Sequence, residues 1–258
     1  MTKATGIGRV ECNLDQQGVL TIQFDHPASN SLPGSLLSAL ADSIDQAGKE
    51  AGCRVILLKS GGSRAFCAGA SFDELIDIQD EKQGLAFFSG FSKVILAIRR
   101  SSKFVVCRVQ GKAVGGGVGI AAAADITYGT HHAAVKLSEL AIGIGPFVVG
   151  PAVERKVGKA AFTAMAIDAT SWYSAEWAKS QGLYAEVFQT TDELDQAIND
   201  LTRQLASSSP EAMEALKNVF WEGTDHWETL LPERAAISGK LVLSEFTRSA
   251  ISRFKSKA

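Results

Sequence analysis

The sequence predicts an α/β protein built on mostly parallel sheets. Short β-branched runs alternate with longer segments whose apolar residues recur at helical spacing. The order strand, turn, helix, strand repeats with no sequence identity between repeats, which suits parallel strands joined by crossovers. Near the middle, a β-branched stretch meets a small-residue segment through three consecutive glycines. These observations leave a doubly wound sheet and a coiled stack of units both open.

In chain order, residues 10–14, a turn at Asp15-Gln-Gln-Gly18 and residues 19–24 read as an opening β-hairpin. Residues 25–33 form a loop by their prolines and short polar side chains. His26, just before Pro27, reads as a solvated or capping residue rather than a base. Residues 35–47 carry Leu36, Leu37, Leu40 and Ile44 on one helix face, and residues 54–59 form a short buried strand. In Arg64-Ala-Phe-Cys-Ala-Gly-Ala-Ser-Phe-Asp-Glu74, a glycine-containing turn precedes a helix. Ser71 as N-cap and Glu74 reaching back to it fit a capping box, so Asp73 and Glu74 read as cap residues rather than catalytic ones. Phe87, Phe88, Phe91, Val94, Ile95 and Ile98 then follow at helical spacing, as core or as a lid.

The central motif is Gln110-Gly-Lys-Ala-Val-Gly-Gly-Gly-Val-Gly119, running on to Asp125. Residues 104–109 before it read as a strand, and residues 118–124 as the first turns of a buried helix. Glycines at such a junction let the backbone turn sharply and approach a ligand. They also leave uncapped N–H groups at the positive end of a helix, where a developing negative charge is stabilised. Taken alone, the motif fits a tight turn equally well. Residues 126–128 and 134–137 continue the strand pattern. His131 and His132, if adjacent on a strand, face opposite sides, which argues against a metal pair. Residues 174–188 read as a helix ended by Gly182 and then an edge-like strand. From about residue 192 the chain is helical, with a break at Ser207-Ser-Ser-Pro210.

A chain of 258 residues can bury one large domain, or a main domain with an appendage. With 46% hydrophobic and 21% charged residues the composition is that of an ordinary globular protein, and a net charge of -2 gives no support to a nucleic-acid partner. Cys12, Cys53, Cys67 and Cys107 lack metal-ligand spacing and read as reduced core thiols, so no metal is expected. Cys67 has no histidine in its motif to make it a nucleophile. The first residues lack the apolar core of a signal peptide, and no window approaches the roughly 20 apolar residues that span a bilayer. A cytoplasmic protein without a membrane partner is therefore expected.

The succession FCAGASFDE, QGKAVGGGVGIAAAAD and KLSELAIGIGPF, in that order and spacing, resembles the crotonase family, also called the enoyl-CoA hydratase/isomerase family, over roughly residues 10–255. The resemblance implies a spiral of repeated ββα units in residues 1–191 that holds an acyl-CoA site. It implies a C-terminal helical oligomerisation region, 192–258, in a homotrimer or a dimer of trimers. Phe246, Phe254 and Lys255 are its candidates for interface or CoA contacts, a frayed basic tail being the alternative. The resemblance also implies that the loop containing His26 lies along the CoA moiety. The resemblance further implies a thioester carbonyl held by the backbone N–H groups of Ala70 and Gly116. Ala68, Gly69, Gly115, Gly117, Pro146 and Phe147 contribute to substrate binding, and no separate cofactor is needed because coenzyme A is part of the substrate. Phe88, Phe91, Phe147 and Trp172 are candidates for shaping the acyl pocket.

Hydratases of this family commonly use two glutamates. One position matches Glu139; the other falls at Gly119, which has no side chain. A single carboxylate suffices to move a double bond, and the run after Glu139 resembles that of the single-glutamate Δ3,Δ2-enoyl-CoA isomerases. The favoured expectation is thus an isomerase with Glu139 as proton shuttle. The alternatives are a hydratase whose second acid is remote in sequence, with Asp73 and Asp168 to be checked, another crotonase reaction such as decarboxylation, and a non-catalytic acyl-CoA-binding subunit.

Overall fold

The computed structural model describes residues 2–5 and 8–255, with side chains from 8 to 253. The side chains of Phe254 and Lys255 therefore lie outside the described residues. The opening hairpin pairs β2 (Gly8–Leu14) with β3 (Val19–Asp25), behind an edge strand β1 (Thr2–Thr5). Asp15 Oδ1 closes its turn by accepting from the amides of Gln17 and Val19, each at 2.9 Å. Helix α1 (Gly34–Lys49) buries Leu36, Leu37, Leu40 and Ile44, the face its periodicity predicts.

Three units then repeat. In each, one strand joins a large sheet and the next joins a small one: β4 (Val55–Ser60) with β5 (Ala65–Cys67), β6 (Phe104–Val109) with β7 (Lys112–Val114), and β8 (Ile126–Thr130) with β9 (Val135–Lys136). The helices that follow them are α2 (Phe72–Asp77) and α3 (Glu81–Arg100), then α4 (Gly116–Ala123), then α5 (Gly150–Ile167). After α6 (Ala175–Ser180) an edge strand, β10 (Glu186–Phe188), completes the large sheet. Among the described residues the strand orders are β1-β2-β3-β4-β6-β8-β10 and β5-β7-β9, all parallel from β3 onward. This is the coiled stack of ββα units rather than the doubly wound sheet. The β-branched runs of β4 and β6 are buried on both faces, as strands between helical layers must be.

The C-terminal helices are α7 (Thr191–Ala206), α8 (Pro210–Phe220), α9 (Trp227–Leu241) and α10 (Glu245–Lys255). Leu194 and Ile198 of α7 pack with Val55, Val106 and Met213, on the face of the large sheet away from the main core. Helix α9 crosses α3 where two glycines meet: a Cβ on Gly84 would stand 2.5 Å from the Gly239 carbonyl oxygen. Asp125, at the end of α4, ties these layers together. Its carboxylate accepts from Lys217 Nζ (2.9 Å), Trp221 Nε1 (2.9 Å) and the Val105 amide (2.7 Å), and both members of the Asp125–Lys217 pair are buried.

Two local expectations need correction. Ser71 does cap α2, accepting from Glu74 N at 3.5 Å, but Glu74 does not reach back to it. Its Oε2 instead accepts the Gly34 amide at 2.7 Å, across the fold. The physical reason is Pro33: it precedes α1 and has no side-chain acceptor, so the orphan donor takes a carboxylate from another element. His131 and His132 are in the turn after β8, not on a strand, with exposed rings whose centroids are 3.6 Å apart. Thr130 Oγ1 bends the chain there, accepting the His132 amide and donating to the Gln110 carbonyl. His26 behaves as a turn residue, its Nδ1 accepting from the Ala28 amide at 3.2 Å.

Candidate active site

The ends of β5, β7 and β9 converge on one small cavity of about 60 Å³. Its polar rim comes from two glycine turns. Gly69, after β5, has φ +87°, and a Cβ there would also stand 3.0 Å from the Val114 carbonyl oxygen and 3.9 Å from the Gly116 nitrogen. Gly115, between β7 and α4, has φ +51°. Both conformations favour glycine, and together they set the turns carrying Ala70 and Gly116 side by side. The turns are held from outside: the Gly69 carbonyl accepts from Leu32 N at 2.8 Å, and Gly115 N donates to the Lys136 carbonyl at 2.9 Å. Among the described residues, the amides of Ala70 and Gly116 donate to no other protein group. Gly116 is the first residue of α4, so its N–H is one of the orphans at a helix N-terminus.

Glu139 supplies the charge. It follows β9 and opens a 3₁₀ turn, Leu140–Ile142, with its carbonyl accepting from the amides of Ile142 (3.2 Å) and Ile144 (3.0 Å). Its carboxyl lies directly over Gly115: a Cβ at 115 would meet Oε1 at 2.8 Å. The residue as a whole is half-buried, but Oε2 is closed to solvent and has no hydrogen-bond partner among the described residues. Burial pushes the carboxyl up to about 7, a backbone hydrogen bond lowering it in part. It is the single ionisable side chain among the described residues that line the cavity. A carboxyl poised near neutrality can take a proton and give it back in one cycle.

Ala68, Gly69, Ala70, Gly115, Gly116, Pro146 and Phe147 all line the cavity. Gly117 does not, because it lies further round the first turn of α4 and packs on Cys67, whose Cβ is 2.6 Å from where a Cβ at 117 would sit. Phe88 and Phe91 form part of the apolar wall, whereas Trp172 lies outside it, with the ammonium groups of Lys112 and Lys136 at 4.7 and 4.5 Å from its ring centroid. Gly119 leaves no gap, since a Cβ there would lie 2.4 Å from Val149 Cγ1. Asp73 and Asp168 are both exposed, and neither lines the cavity. Phe246 packs on Gly143, just beyond the 3₁₀ turn, while 61% exposed. Sequence reasoning missed Leu75, Ile142, Val148, Val149 and Ser238 as wall residues. Ser238 comes from α9, far beyond Glu139 in the sequence, and no local motif marks it.

Cys53, Cys67 and Cys107 are buried free thiols; burial pushes Cys53 up to about 11 and Cys67 up to about 12, so neither is a ready nucleophile. Among the described residues, no group of three or more His, Cys, Asp or Glu side chains is placed to hold a metal, and no helix is long and apolar enough to cross a membrane.

Fold and site together define a spiral α/β enzyme with paired backbone donors beside one buried carboxylate. A family model described as enoyl-CoA hydratase/isomerase matches residues 15–253, and the chain belongs to that family, an enzyme of the crotonase type. It is 29% identical over 208 residues to the 2,3-dehydroadipyl-CoA hydratase of Escherichia coli, covering 80% of this chain and 79% of that one. It is 26% identical over 231 residues to the mitochondrial Delta(3,5)-Delta(2,4)-dienoyl-CoA isomerase of Mus musculus, covering 82% and 68%. The crystal structure of an enoyl-CoA hydratase from Bacillus halodurans superposes with a TM-score of 0.87 at 19% identity, over 95% of this chain and 99% of that one, a likeness of fold.

Proposed function

We propose that the protein is a Δ3,Δ2-enoyl-CoA isomerase in which Glu139 alone moves the proton. The observation that carries this reading is the absence of a second acid: Glu139 is the only ionisable group among the described residues of the cavity wall, and Val149 fills the space beside Gly119. In the proposed reaction the Glu139 carboxylate removes a proton from C2 of a 3-enoyl-CoA. The thioester oxygen gains the negative charge and is held by the N–H groups of Ala70 and Gly116, donors with no competing protein acceptor. The double bond moves to C2–C3, and the carboxylic acid returns its proton at C4. Each step conserves atoms and charge, and coenzyme A enters only as part of the substrate. The carboxyl value of about 7 suits a group that serves as base and then as acid.

Hydration of a 2-enoyl-CoA is the second reading, favoured by relatives named as hydratases. It needs a group to position water, and among the described residues of the wall the only polar side chains besides Glu139 are the hydroxyls of Ser138 and Ser238. The proposal includes a cytoplasmic location, in keeping with buried free thiols. It also includes a division at residue 191, with the helices beyond it assembling three copies or a pair of trimers. Phe246 at 61% exposure and Leu140 at 50% leave apolar surface beside the site that such a neighbour would cover.

A matched assay on purified protein tests the reading, one sample receiving a 3-enoyl-CoA and the other a 2-enoyl-CoA, with products separated by chromatography. Conversion of the first to the 2-enoyl ester is the expected result. Water addition to the second, without isomerisation of the first, would replace this reading with hydration.

A further inference from the structure

Ser238 is, with Ser138 and Glu139, one of three polar side chains among the described residues that line the cavity. It lies on the buried face of α9, lines the cavity together with Leu75, Phe88 and Phe91, and is 1% exposed. Its hydroxyl has no hydrogen-bond partner among the described residues. Ser43 and Thr202, also buried on helices, bond back to the preceding turn, donating to the Ala39 carbonyl at 2.7 Å and to the Ile198 carbonyl at 2.8 Å. Ser238 does not. Close packing explains a small residue here, because the neighbouring Gly239 meets Gly84 backbone to backbone. It does not by itself call for a hydroxyl, since alanine would fit the same space, whereas a hydroxyl opening on the cavity can meet a ligand.

We infer that Ser238 is a specificity-determining residue that hydrogen-bonds a neutral oxygen on the acyl chain of the substrate. This rests on the acyl-CoA reading of the site and names the acyl class within it. The oxygen is neutral because no lysine, arginine or histidine is among the described wall residues to balance a carboxylate. A short acyl chain suits a cavity as small as about 60 Å³. A hydroxyl or keto group satisfies both limits, since serine can donate to either and accept from the first. A site that offers a hydrogen bond also discriminates against the analogue that lacks the partner, whose binding leaves the serine unpaired.

Binding of unreactive, saturated esters tests this apart from catalysis. Butanoyl-CoA and pentanoyl-CoA, each with and without a terminal hydroxyl, are titrated calorimetrically into the wild-type protein and S238A, with near-ultraviolet circular dichroism as the control for folding. The expected result is that the wild type binds at least one hydroxylated ester about three- to tenfold more tightly than its parent. S238A then loses that preference through weaker binding of the hydroxylated ester, the parent ester binding as before or better. Equal binding by the wild type, or a preference that S238A keeps, would overturn the inference while leaving the acyl-CoA site standing. Failure to bind any of the esters would instead sink the acyl-CoA reading, and this inference with it.

Discussion

Val149 Cγ1 stands 2.4 Å from where a Cβ on Gly119 would sit, so the missing side chain of one residue is filled by the other. The two form one packing unit, with Val149 lining the cavity. Glutamate at 119 in the present background must displace the valine and bury a charge. G119E alone is expected to lose at least about 1–3 kcal/mol of stability from overpacking, measured by urea denaturation, and to gain no hydratase activity. With V149A added, stability recovers in part and slow hydration of a 2-enoyl-CoA becomes detectable. Hydration by G119E alone would show that Val149 does not hold the position closed.

Glu139 ties stability to pH in a direction opposite to that of a salt-bridged carboxylate. Its folded value of about 7 lies above the ordinary 4.5, so between these limits the folded state binds more protons than the unfolded state. The stability it allows is full below the unfolded value and is lost as pH rises towards 7, about 3 kcal/mol in all. Glutamine at 139 removes this dependence. The melting temperature of E139Q relative to wild type is expected to rise from pH 5 to pH 8, and a flat difference would contradict the burial of the charge.

The same titration shapes the rate. Proton removal needs the carboxylate, so kcat/KM for a 3-enoyl-CoA is expected to increase with pH and level off above about 7. A profile already flat from pH 5 upward would mean that the base is an ordinary exposed acid.

Gly116 is hemmed in by Phe91: a Cβ there would come 2.0 Å from the ring Cε1. G116V therefore forces the ring aside and moves an amide that the proposal gives to the thioester oxygen. A loss of about a hundredfold in kcat is expected, with a smaller change in KM. An equal loss in G117A, which disturbs Cys67 rather than the cavity, would reduce the effect to general packing damage.

Asp125 offers a control far from the chemistry. D125A leaves the buried Lys217 ammonium without its carboxylate, at a cost of about 3–5 kcal/mol by denaturant titration. A loss under about 1 kcal/mol would mean that Lys217 finds water or another partner.

The strand and helix pattern was readable because its signals are local: Leu36, Leu37, Leu40 and Ile44 repeat at one helix face, and Phe104 to Val109 alternate nothing because both faces are buried. The turns carrying Ala70 and Gly116, and the carboxylate of Glu139, were marked by motifs that combine glycine with short spacing. What lay beyond reach depends on chain segments meeting at a distance. Glu74 is followed by no signal that its partner is Gly34, 40 residues away. Val149 beside Gly119 is a contact between elements with no common periodicity, and Ser238 and Phe88 meet only in lining the same cavity. The histidine pair misled for a different reason, because β8 ends at Thr130 through a side-chain bond to Gln110 that the strand-like sequence does not advertise.

The most direct test of the account replaces one atom pair. E139Q keeps the size of the side chain and removes the base, and its turnover of a 3-enoyl-CoA is to be measured beside calorimetric binding of butanoyl-CoA. The account predicts a loss of at least about a hundredfold in kcat with the dissociation constant nearly unchanged. Turnover within a few-fold of wild type, with binding intact, would contradict it and require a proton carrier other than Glu139.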